Sequence, residues 1–284
     1  MQTILGRFLG LATGGLSVLA LFCLLVAWLH LLDQLMTRRL ISRWGWSGLM
    51  LTGWLGTPVH EGSHVLACWL FGHRVDRVVW FQPDPASERL GYVQHSYDRR
   101  NVFQEIGNLF IALAPLVGGG VATILLLKLF FPDVEFRWPA PSPVEPPARG
   151  WATLVASFGD TARMVWDVVC QVAAPARWGE PRFWLFLYLA TCLASHAVPS
   201  RSDYAATLRG ILLCGLVLTG VLAAASLGSD ATRWMQRGLQ IAGGFTAAYA
   251  VIASAVSLLS LLVVFAATGL WDLARELFRR PRVE

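Results

Sequence analysis

Long apolar runs constrain this chain more than any other feature. A hydrocarbon core about 30 Å thick takes roughly 20 helical residues to cross, and apolar runs of about this length lie near residues 5–32, 47–72, 103–131, 183–200, 205–227 and 240–270, the fourth being the shortest. With 55% hydrophobic and only 14% charged residues, the chain lies outside the soluble globular range. The expected fold is an all-α polytopic membrane protein. It has about six transmembrane helices in one membrane-embedded domain covering 1–284, with 132–182 as an outer loop.

The first run is too long for a signal-peptide core and continues into "HLLDQLMTRRL" with no small-residue cleavage site, so it reads as a retained helix. An even number of spans puts both termini on one side, and the four arginines of "ARELFRRPRVE" place that side in the cytoplasm. The 73–102 loop, with Arg74, Arg77, Arg89, Arg99 and Arg100, then faces the cytoplasm too. A net charge of +5 concentrated at membrane flanks suits the anionic lipid of a bilayer, and no basic and aromatic constellation suggests nucleic acid. Lys128 is the sole lysine among 23 basic residues, a composition typical of a bacterium, and the expected location is its inner membrane.

Between the second and third runs, polar residues interrupt the apolar Val75, Val78, Val79, Trp80 and Phe81 before a Pro, Asp and Ser turn, and the pattern resumes at Leu90 to Val93. This predicts a small cytoplasmic β-hairpin. Pro115 and the "VGGG" after it loosen the third helix and admit a close neighbour. The outer loop opens with the extended, proline-rich "FRWPAPSPVEPPARG". From Trp151 onward, apolar Leu154, Val155, Phe158, Val165, Val169 and Val172 oppose Asp160, Arg163, Asp167 and Gln171, which predicts an amphipathic helix on the outer membrane surface. The five cysteines form no CxxC, so they read as packing residues, and His73 and His95 read as solvated or local contacts of the hairpin loop.

Against this background "TPVHEGSHVLACWLFG", residues 57–72, stands out: ionisable side chains in an apolar helix are costly unless paired or used. His60-Glu61-Gly62-Ser63-His64 is an HExxH pattern. On a helix, residues i and i+4 share a face, so both imidazoles reach one zinc ion while Glu61 lies beside a water on that ion. Zinc needs a third protein ligand, and "CLASHAVPSRSDYAATLRG", residues 192–210, offers His196 and Asp203 near a helix junction. Two roles fit Asp203, a zinc ligand and, from the Ser200-Arg201-Ser202-Asp203 spacing, a capping group at a helix start. His196 fits as a polar neighbour or as a substitute ligand.

These pieces, in this order, resemble the site-2 protease family of intramembrane zinc metalloproteases. The resemblance covers about residues 47–210 and runs from the HExxH helix through the hairpin and a further span to Pro199 and Asp203. "SHAVPSRSDYAA" stands where that family has an asparagine and an LDG-type segment, so Asp203 has no glycine after it and His196 stands near the asparagine's place. The resemblance implies a zinc endopeptidase that cuts a membrane-spanning or juxtamembrane segment of a membrane protein. His60, His64 and Asp203 would be ligands and Glu61 the general base; substrate selection would fall to the outer loop, its amphipathic helix or a protein partner. The alternative is a zinc-binding or scaffold subunit of a membrane complex without catalysis.

Overall fold

The structure, a computed structural model, describes residues 3–86, 89–135, 150–204 and 207–277. It is predominantly helical, with α1 (Ile4–Trp44), α2 (Trp46–Leu70), α3 (Val102–Phe130), α4 (Gly150–Val172), α5 (Pro181–Ala194), the one-turn α6 (Arg201–Tyr204), α7 (Leu208–Ser226) and α8 (Ser229–Leu277). Strands β1 (Arg74–Val79) and β2 (Tyr92–Ser96) pair antiparallel as the expected hairpin, and an Asp84–Arg89 bridge extends it toward the tip. Among the described residues, four helices, α1, α3, α7 and α8, are long and apolar enough to cross a membrane. The polar HExxH residues and glycines dilute α2, and the 14 residues of α5 rise only about 21 Å. The proline-rich segment lies outside the described residues apart from Gly150, and α4, where the amphipathic helix is expected, packs against α8.

The first and last helices outrun their apolar runs. At 41 and 49 residues, α1 and α8 rise about 61 and 73 Å, against expected spans of 5–32 and 240–270. Their extra length is held by mutual packing. Leu25, Leu29, Leu32, Met36 and Leu40, three or four residues apart, form a buried stripe on α1. The buried positions of α8 are mostly small: Gly243, Ala247, Ala250, Ser257, Ser260 and Thr268. Large side chains on one helix entering a small-residue face on the other is how helices associate where lipid is as apolar as leucine. Leu239 lies against Gly14 at one end, while at the other Arg39 donates to the Thr268 hydroxyl (2.9 Å) and Arg43 pairs with Asp272 at 3.3 Å. The two helices therefore run parallel. Counting apolar runs gives their number but not which of them complete a crossing.

Glycines set how closely the inner helices approach α2. A Cβ at Gly56 would lie 2.2 Å from the Cys192 carbonyl oxygen and 2.7 Å from His196 Nδ1, so α5 ends directly against the HExxH helix. In the "VGGG" of α3 each glycine meets a different neighbour: Gly118 faces Ser63 of α2, Gly119 faces Ala197, and Gly120 faces Tyr249 of α8. Gly62, by contrast, has only the Trp80 ring edge at 3.7 Å. Gly56→Ala is therefore expected to destabilise the fold by about 1–3 kcal/mol through forced separation of α2 and α5. Gly62→Ala should stabilise it by roughly 0.5–1 kcal/mol through helix propensity alone. Thermal unfolding of the two variants in detergent checks the opposite signs.

Candidate metal centre

One helix supplies three of the site's residues. In α2, Pro58 precedes His60 by two positions, and the rings of His60 and His64, one turn apart, meet edge to face with centroids 4.8 Å apart. Each imidazole is oriented from behind by a backbone carbonyl. His60 Nδ1 donates to the carbonyl of His196 (2.6 Å) and His64 Nδ1 donates to that of Ile111 (2.8 Å). A carbonyl can only accept, so in each neutral ring the proton is on Nδ1 and Nε2 is a bare lone pair. The two Nε2 atoms face each other at 3.1 Å.

Asp203 comes to the same point from α6. Its Oδ2 lies 3.5 Å from His60 Nε2 and its Oδ1 lies 3.4 Å from His64 Nε2. The carboxylate also accepts from the Ser200 backbone N–H (2.6 Å) and hydroxyl (2.8 Å). The two roles read from the sequence thus coexist, because the capping bonds that start α6 also aim the carboxylate at the imidazoles.

Three acceptor groups with no hydrogen between them repel unless a cation lies among them. Ligand atoms 2.0–2.2 Å from a tetrahedral zinc ion lie roughly 3.3–3.6 Å from one another, and the separations of 3.1, 3.4 and 3.5 Å fall close to those edges. His60, His64 and Asp203 form one of two groups among the described residues able to hold a metal ion. The donor set, two imidazoles and a carboxylate with carbonyl-oriented rings, fits zinc.

Glu61, 6% exposed, lines a cavity of about 1010 Å³ together with His60, His64 and Asp203. The His196 side chain is outside the three-residue group and hydrogen bonds Ser195 Oγ (2.9 Å) and the Cys192 carbonyl (3.3 Å). Its contribution to the site is the backbone carbonyl that orients His60. Three cavity-lining residues carry no signal in a motif. Asp33 and His30 come from α1, and Asn108, buried on α3, donates to the Glu105 carbonyl. His30 and Asp33 are ionisable residues at the end of the first apolar run, and their sequence carries no further signal. No protein-family model matches this chain, and no curated protein or solved structure matches it either.

Proposed function

We propose that this chain is a membrane-embedded zinc endopeptidase of the site-2 protease type. In this reading α2 and α5 join the four long apolar helices within the membrane layer, and the membrane is a bacterial inner membrane. The observation that carries the proposal is the convergence of two bare imidazole nitrogens and a carboxylate beside a buried glutamate on a cavity wall. When bound there, zinc supplies Lewis acidity that polarises a carbonyl and brings the pKa of a water toward about 7.

The chain's own residues do the rest. Glu61 takes the proton of the attacking water and returns it to the amine that leaves. The His196 and Ile111 carbonyls keep the imidazoles in the ligating tautomer, and Ser200 keeps the Asp203 carboxylate aimed. A helical substrate hides its scissile carbonyl in a hydrogen bond, so it must unwind, and an added β-strand is the conformation that satisfies its freed backbone. Support for such an edge comes from the cavity wall. Residues 89–95 line it consecutively, as a strand edge does, whereas a strand face would contribute alternate residues.

Gly91 sets where that edge lies. A Cβ there would come within 2.6 Å of the Val79 carbonyl oxygen and 2.8 Å of Thr57 on α2. Gly91→Ala is expected to push the strand off α2 and lower kcat/KM on the order of 10-fold or more, mainly through KM, with zinc content unchanged. The function itself is tested by incubating the purified chain with single-span membrane proteins in proteoliposomes and sequencing the products. New N termini that need both zinc and Glu61 are the expected result, and an intact substrate pool with fully zinc-loaded protein would overturn the reading.

A further inference from the structure

The last turn of α2 builds a second cluster. Gly72, at φ 70°, closes the helix with the left-handed turn that glycine adopts without cost, and the N–H of His73 returns to the Cys68 carbonyl (2.8 Å). This six-to-one closure folds His73 back beside Cys68. The hairpin register, Val75 opposite His95, then brings a second imidazole to the same place. One ligand atom from each of Cys68, His73 and His95 lies within 4.8 Å of the others. Cys68 is fully buried and its thiol is free, and His73 is 4% exposed.

One of the two histidines already has the tautomer of a ligand. His73 Nε2 donates to the Gln104 carbonyl (2.8 Å), which leaves its Nδ1 as a lone pair directed at His95 Nδ1, 3.0 Å away. Tyr97 stacks on the His73 ring at 4.9 Å and limits its rotation. Glu105, 2% exposed, has one carboxylate oxygen without a hydrogen-bond partner among the described residues, and its charge acts on His73. The other Glu105 oxygen faces Arg209 Nε at 3.9 Å.

We propose that Cys68, His73 and His95 form a second zinc site, separate from the His60, His64 and Asp203 centre, which ties strand β2 to the end of the HExxH helix. One thiolate and two imidazoles are a ligand set that favours zinc over harder ions. Binding forms the zinc–sulfur bond and releases the thiol proton to solvent. The site stands on its own geometry; only its bearing on substrate, through a strand edge held at a fixed distance from the first centre, rests on the peptidase reading.

Cobalt(II) in place of zinc distinguishes the two centres, because only one contains sulfur. The full chain, purified in detergent and loaded with cobalt, is expected to bind two ions and to show a thiolate-to-cobalt charge-transfer band in the near ultraviolet. Cys68→Ser and His95→Gln should each abolish the band and remove one ion, whereas His64→Ala should remove one ion and leave the band intact. His95→Gln lies on the hairpin, so it tests the site without altering the helix core. Absence of the band from fully loaded parent protein, or its persistence in Cys68→Ser, overturns the proposal. One ion per chain with the band present would instead overturn the first centre and uphold this one.

Discussion

Glu61→Gln is expected to retain its metal and lose peptidase activity by a factor on the order of 10² to 10⁴. Glutamine keeps the shape of the side chain on the cavity wall, so neither ligand geometry nor packing should change. It cannot take up the water's proton, and that step has no other base of comparable position on α2. The measurement is a cleavage assay beside metal analysis of the same preparation. Equal cleavage in parent and variant would remove the general-base role, whereas no cleavage by either, with cellular function intact in the variant, would favour a scaffold.

The second large effect is on metal content. His64→Ala leaves one imidazole and one carboxylate, and Asp203→Ala leaves two imidazoles, so each variant should lose one zinc per chain relative to the parent by elemental analysis. Ser200→Ala is subtler. It removes the hydroxyl that helps aim Asp203, while the Ser200 backbone N–H remains. Affinity should fall about 10-fold with stoichiometry retained at saturating zinc. Zinc kept by Asp203→Ala but lost by His196→Ala would move the third ligand to His196, against the arrangement in which only the carbonyl of that residue serves the site.

What could be read from the sequence depended on how local each feature is. The HExxH pair was legible because both imidazoles and the base lie on one helical turn, where spacing alone fixes the face. The hairpin was legible for the same reason, through two short valine and aromatic stretches on either side of a Pro, Asp and Ser turn. Asp203 could be singled out from chain order, but its capping of α6 and its approach to the imidazoles emerged together only once α6 was folded. The cluster of Cys68, His73 and His95 was missed because the Gly72 turn and the strand register both have to be known before the three meet. The apolar run marks only part of α1. Met36 and Leu40 continue the buried stripe among polar neighbours, so the helix persists where the hydrophobic run stops. The relative direction of α1 and α8 is a property of packing between segments more than 200 residues apart, and no window along the chain contains it.

The glycine triplet of α3 bears on how a substrate could reach the cavity. Successive helical residues point about 100° apart, so contacts from Gly118, Gly119 and Gly120 to three different neighbours surround the helix at one level. Any roll of α3 about its axis would drive a side chain of its own into Ser63, Ala197 or Tyr249. α3 is therefore a fixed pillar, not a door. Lateral admission of a substrate helix has to come from an element other than α3.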